Sequence, residues 1–168
     1  QTKVTTGQKV KQLSKGMVAQ LHLALVMAID ARLLVLDEPT LGLDIIYRKE
    51  FYTNLLNDYF DENRTILVTT HQVEEIENIL TDVIFIDRGR LVLDESMDSI
   101  ADRFAEVSVK PDRAEAARQL GPLSEQEMFG RRVFLFENGN AEQLRDLGEM
   151  RTPGIADLFV AKIKERSA

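Results

Sequence analysis

Cysteine and tryptophan are both missing from this 168-residue chain. Without cysteine there is no disulfide framework and no thiolate metal site, which fits a cytoplasmic protein whose core rests on apolar packing. No apolar run approaches the roughly 20 residues that a membrane-spanning helix needs, and no signal-peptide pattern opens the chain, so the sequence reads as soluble by itself. The first residues, Gln1-Thr2-Lys3-Val4-Thr5-Thr6, lack an initiator methionine and read as a cut from something longer. Basic charge is in deficit. With 21 Lys and Arg against 28 Asp and Glu, the net charge of -7 argues against broad electrostatic binding to nucleic acid, although it leaves room for a local basic patch. What the chain does hold is 44% apolar residues, enough to bury a real core in one domain or one and a half.

The most informative stretch is Leu33-Leu34-Val35-Leu36-Asp37-Glu38-Pro39-Thr40. An unbroken apolar run suits a strand buried on both faces of a parallel sheet, and the two acids then fall at its carboxyl end, where open α/β sheets keep their ligand crevice. Paired carboxylates there match the needs of phosphoryl transfer: one can hold Mg²⁺ while the other orients and deprotonates a water. Taken alone, the same residues also describe a core strand capped by two solvated acids.

Upstream, residues 1 to 12 are polar and read as a connecting segment. Ser14 is a natural helix N-cap, Gly16 permits a close backbone approach, and Val18 to Ile29 is apolar around nearly the whole helical wheel, which predicts a buried helix whose N-terminus could receive an anion. Downstream, Leu41-Gly42-Leu43 is a tight connection and Asp44 a second cap, opening an amphipathic helix over Ile45 to Tyr59 with Tyr47, Phe51 and Leu55 at i, i+4 spacing. Thr65 to Thr69 predicts another buried strand ending at Thr70-His71. That histidine could donate to a phosphate oxygen, or simply satisfy a backbone group. A short helix over Gln72 to Leu80 is followed by a hairpin, Asp82 to Asp87 and Arg90 to Asp94 around Arg88-Gly89. Alternating strand and helix imply a parallel sheet with an antiparallel edge.

In order, these pieces resemble the ATP-binding subunits of ABC (ATP-binding cassette) transporters. Leu13-Ser14-Lys15-Gly16-Met17 is similar to the family's signature motif, Leu33 to Glu38 to its Walker B strand with the catalytic glutamate, Leu41-Gly42-Leu43-Asp44 to its D-loop, and His71 to its switch histidine. Lys15 and Met17 replace the Gly and Gln of many members, a variant associated with exporter-type bacterial subunits. No Gly-x-x-x-x-Gly-Lys-Ser/Thr occurs in the 168 residues, so the phosphate-cradling P-loop is not encoded here, and the resemblance covers the C-terminal half of a cassette, Gln12 to Glu95.

The fold class so implied is α/β: part of a P-loop NTPase parallel sheet with helices and an antiparallel edge hairpin over residues 1 to 96, then a small α+β accessory domain over 97 to 168. The resemblance implies an ATPase with ATP and Mg²⁺ as cofactors. Asp37 would bind Mg²⁺ and Glu38 would act as general base. His71 would sense the γ-phosphate, and Ser14, Lys15 and Gly16 would close over ATP held by a second cassette. Asp44 would bridge the two. Partners would be that second ATPase subunit and transmembrane permease subunits, without nucleic acid, at the inner face of the cell membrane. The isolated fragment would be inactive. Two other readings stay open: a non-transport member of the superfamily, or a non-enzymatic interaction module.

In the last part, Phe104 to Val109 alternates like a strand, Asp112 to Leu120 is helical, and Leu123 to Phe129 with Arg132 to Glu137 flank Gly130-Arg131 as a hairpin. Ala141 to Leu147 and a helix after Thr152-Pro153, with Ile155, Leu158, Phe159 and Ile163 on its apolar face, complete the chain. Pro153 to Phe159 looks like a tail segment of some exporter-type subunits. It either packs back on the cassette or forms a regulatory site.

Overall fold

Strand β1 (Leu33–Asp37) forms where the apolar run predicts it, and pairs in parallel with β2 (Thr65–Thr69), in register from Leu33 opposite Thr65 to Asp37 opposite Thr69. The computed structural model describes residues 7–166, which divide by packing into two units at Gln72/Val73. In the first, Ser14 caps α1 (Lys15–Met27) by accepting Met17 N–H at 3.2 Å, and Asp44 caps α2 (Ile45–Asn54) by accepting Ile46 and Tyr47 N–H at 3.1 Å each. A wider π turn, Leu55–Tyr59, continues α2 and buries Leu55 and Tyr59. It carries the Tyr59 hydroxyl onto the carbonyls of Ile29 (3.1 Å) and Ala31 (3.3 Å), which ties the end of the helix to the loop before β1.

Burial in this unit is less complete than the sequence predicts. Strand β1 alternates: Leu34 and Leu36 are buried, whereas Leu33 and Val35 stand more than half exposed. Among the described residues of α1 no side chain is fully buried, and Leu25 and, just past the helix, Ile29 are 59% and 58% exposed. Strand β2 is likewise only half-buried on one face. The reason is physical: a parallel strand is covered on both faces only when helix layers lie on both sides, and a two-stranded sheet packed on one side supplies one such layer.

The second unit begins with two single 3₁₀ turns, Val73–Glu75 and Glu77–Ile79, in place of the short helix predicted over Gln72 to Leu80. Only Ile76 is fully buried there, and a segment held by one anchor has little reason to close a regular α-helix. Strands β3 (Asp82–Asp87) and β4 (Arg90–Ser96) form the hairpin, hydrogen-bonded to each other as a sheet of their own. Its two turn residues, Arg88 (φ 48°) and Gly89 (φ 73°), both lie in the left-handed region that a tight twisted hairpin demands.

After α3 (Met97–Arg103), capped by Ser96, come β5 (Phe104–Val109), α4 (Ala114–Arg118), β6 (Ser124–Met128), β7 (Arg131–Glu137), α5 (Ala141–Leu147), β8 (Glu149–Arg151) and α6 (Ile155–Glu165). The four-stranded sheet has the order β6-β7-β5-β8 with every neighbour antiparallel, so β5 to β8 with α4 and α5 make a split β-α-β-β-α-β motif. One sheet face packs Val107, Val109, Phe134 and Phe136 on Ala114, Ala117 and Leu144. The other brings Phe104 and Leu135 into a core with Val83, Phe85 and Leu93 of the hairpin and Ile155, Leu158 and Ala161 of α6. Gly148 permits the close approach of β8, since a Cβ there would sit 2.3 Å from the Ser108 carbonyl oxygen.

The packing therefore groups the hairpin with the C-terminal elements. The chain as a whole is α/β, with one parallel sheet, two antiparallel sheets and six α-helices among the described residues.

Candidate functional site

The acid pair stands where β1 stops. Glu38 N–H donates to the Thr69 carbonyl at 2.8 Å, extending the parallel ladder one step, and the chain then turns with Leu41 N–H closing on the Glu38 carbonyl at 3.1 Å. Pro39 fills the second turn position, which suits its fixed φ. Thr40, only 2% exposed, sets its hydroxyl 3.4 Å from that of Tyr52 and so fastens the turn to α2. Glu38 has φ 44°, a left-handed conformation that costs a non-glycine residue on the order of 1–3 kcal/mol and persists only where its surroundings over-determine it.

Those surroundings grip its carboxylate. His71 donates its backbone N–H to Glu38 Oε1 at 3.0 Å, and its ring Nδ1 lies 2.6 Å from the same oxygen; the Thr70 hydroxyl donates to Oε2 at 3.2 Å. An ionised carboxylate only accepts, so Nδ1 carries the hydrogen and Nε2 is left for another ligand. The neighbouring Asp37 accepts from the Thr69 hydroxyl through Oδ1. The side chain of His71 is 67% exposed, that of Glu38 29%.

The side-chain hydrogen bond from His71 is the largest influence on Glu38 and holds its carboxyl below the ordinary 4.5; the His71 N–H and the Thr70 hydroxyl act in the same direction, against a partial opposing effect of desolvation. A depressed folded-state pKa contributes stability that is present above the unfolded value and lost as pH falls through the folded one. The contacts around Glu38 are thus expected to be intact above about pH 4.5 and to loosen below it. Carboxyl ¹³C titration should give Glu38 a midpoint under 4.5 that returns toward 4.5 in His71→Ala. An unshifted wild-type midpoint would contradict the geometry.

The remaining sequence candidates lie elsewhere in the same unit. Ser14 caps α1 and leaves the first backbone N–H groups of that helix without intrahelical partners. A Cβ at Gly16 would lie 4.0 Å from the Gly42 carbonyl oxygen, so the signature-like helix start abuts the Leu41–Asp44 loop. The side chain of Lys15 lies outside the described residues. Asp44 is engaged as a cap. Sequence reasoning missed the hydroxyls of Thr69 and Thr70 and a link from Arg48 to Gln72, in which Nη1 donates to Gln72 Oε1 at 2.7 Å. The hydroxyl pair directly before His71 was a readable signal; Arg48, four residues past a cap, looks like any surface cation.

The chain thus has an α/β unit with an acid pair and a histidine gathered at the carboxyl ends of parallel strands. A family model described as "AAA domain, putative AbiEii toxin, Type IV TA system" matches residues 3–77. The lantibiotic transport ATP-binding protein SrtF of Streptococcus pyogenes is 35% identical over 89 residues, 53% of this chain and 38% of its own length. The Nod factor export ATP-binding protein I of Cupriavidus metallidurans is 35% identical over 133 residues, 76% of this chain and 44% of its own. Among solved structures, a cobalt transport ATP-binding protein aligns with a TM-score of 0.46 at 19% identity, over 84% of this chain and 50% of its own. The chain is thus similar, over part of its length, to transport ATP-binding proteins, and spans less than half the length of the two curated relatives described.

Proposed function

We propose that this chain is part of the ATP-hydrolysing subunit of an ABC transporter, of exporter type, and that Glu38 and His71 are its water-activating and phosphate-sensing residues. The observation that carries the reading is the convergence of Asp37, Glu38 and His71 at the ends of β1 and β2, with His71 seated on the Glu38 carboxylate. The exporter assignment draws on the Nod factor export relative and on Lys15 and Met17 in the signature-like stretch. Permease subunits at the inner membrane face and a second ATPase subunit are the partners this reading entails. No helix of the described residues is long and apolar enough to cross a membrane.

The donor set suits Mg²⁺ only in part. Among the described residues no group of three or more His, Cys, Asp or Glu could cage an ion, whereas one exposed carboxylate at a strand end is what a hard cation needs when phosphate oxygens and waters complete its shell. Asp37 would be that ligand, with its orientation fixed by the Thr69 hydroxyl. When bound, the ion neutralises charge on the β- and γ-phosphates. For the nucleotide itself the fit is one-sided: the N-terminus of α1 at Ser14 and Gly16 offers donors to a γ-phosphate, but the chain encodes no P-loop to cradle β and γ.

The chemistry left to this chain follows from hydrogen-bonding capacity. Glu38 is ionised at neutral pH and can accept a water proton once its oxygens are released from His71 and Thr70. While held, both of its oxygens are occupied by the His71 and Thr70 donors. Protonated His71 can keep its Nδ1–H on Glu38 and donate Nε2–H to a phosphate oxygen. Asp44 and the Leu41–Gly42–Leu43 loop would meet the second subunit.

This division of labour is tested by calorimetric titration of Mg-ATP into the purified 168-residue chain beside an ATPase assay of the longer protein that contains it. The chain alone is expected to give no stoichiometric heat and no turnover, while the longer protein hydrolyses ATP. A micromolar one-to-one site on the chain would mean that it holds a complete phosphate cradle.

A further inference from the structure

We propose that Arg48 is a positioning residue that couples the Leu41–Asp44 loop to the strand end carrying His71, and so to the state of Glu38. This rests on the ATPase reading above and adds a route by which the site is controlled. Arg48 sits at the start of α2, its N–H bonded to the Asp44 carbonyl at 3.0 Å, and its half-buried guanidinium reaches in two directions. Nε donates to the Leu43 carbonyl at 2.7 Å, and Nη1 donates to Gln72 Oε1 at 2.7 Å.

Both bonds are short and charge-assisted, and they leave one rigid plane, so the spacing between Leu43 and Gln72 is set by the fork. From Gln72 the path to the acid is direct. Gln72 N–H donates to the Thr70 hydroxyl at 3.0 Å, and that hydroxyl donates to Glu38 Oε2 at 3.2 Å. His71, lying between these two residues, places two donors on Oε1. A shift of the Leu43 carbonyl therefore pulls on Gln72 through Arg48, and the Thr70–His71 pair that grips Glu38 moves with it. The loop that Gly16 abuts is thereby linked to the acid by hydrogen bonds within one packing unit.

A fork that works by geometry has a signature that a plain surface charge lacks. Lysine keeps the charge but has a single nitrogen on a flexible stem, so Arg48→Lys should behave like Arg48→Met. The bond can also be removed from the far side by Gln72→Leu, leaving α2 untouched, and this variant carries the test if Arg48→Met fails to fold. In the longer protein, Arg48→Met and Gln72→Leu are each expected to lower kcat by about 10- to 100-fold, the scale for a misplaced catalytic group, with KM for ATP unchanged. If Arg48 acts through Gln72, the double variant is no worse than the single ones.

Wild-type kcat in either foldable variant, full rescue by lysine, additive losses in the double variant, or a change confined to KM would each overturn the inference. Glu38→Gln serves as the control in the same assay. Active wild type with inactive Glu38→Gln isolates a failure of the Arg48 inference from a failure of the ATPase reading, whereas an inactive wild type removes both.

Discussion

Glu38→Gln in the longer protein is expected to cut steady-state ATP hydrolysis by about 10²- to 10⁴-fold, the range for loss of a general base, while leaving ATP binding intact. The substitution is close to isosteric, and the amide oxygen can still accept the His71 N–H that now reaches Oε1. What it loses is a second accepting oxygen and any capacity to take a proton from water. Since Glu38 lies at the end of β1 with its backbone N–H on Thr69 and its carbonyl on Leu41, neither of which involves the side chain, the fold has little reason to change. An equal loss of binding and turnover would instead point to a structural role. Wild-type turnover would end the assignment.

The second large effect concerns the histidine. His71→Ala should lower kcat by about 10²- to 10³-fold, the scale for removal of one donor aimed at developing charge, with only a small fall in the thermal midpoint from the lost bond to Glu38. The basis is exposure: with 67% of its side chain in solvent, His71 contributes little packing, and what its ring loses on removal is one surface hydrogen bond. A buried structural histidine would behave in the opposite way. Loss of 1–2 kcal/mol would show as a fall of several degrees in a domain of this size. Turnover and melting measured on one preparation separate the two.

Much of this was legible in the sequence because the signals were local. Ser14 and Asp44 announced their helices as caps, and Arg88-Gly89 marked a two-residue hairpin. Ala141–Leu147 forms over the residues expected, and the structure adds Asn140 as its cap, accepting Glu142 and Gln143 N–H. The acid pair and His71 were readable because each terminates an apolar run. What could not be read depends on distant partners. Leu33, Val35 and the α1 face carry core composition, yet composition does not say whether a covering layer lies nearby.

Strand β8 has three residues, too few for a period, and it exists because Gly148 lets it reach β5. Helix α3 was overlooked although Ser96 accepts Ser99 N–H at 3.1 Å as an ordinary cap. The left-handed Glu38 and the Arg48 fork are tertiary facts with no sequence periodicity behind them.

The most direct test of the central claim is the identity of the nucleotide held at the site. The longer protein is loaded with γ-labelled Mg-ATP, freed of excess nucleotide, and the bound species is read after an interval that covers many wild-type turnovers. Bound ATP that persists in Glu38→Gln, with ADP and released phosphate in the wild type, is the predicted result. ADP and phosphate formed equally fast in both would contradict the account, because the proton of the attacking water would then leave through a group other than Glu38.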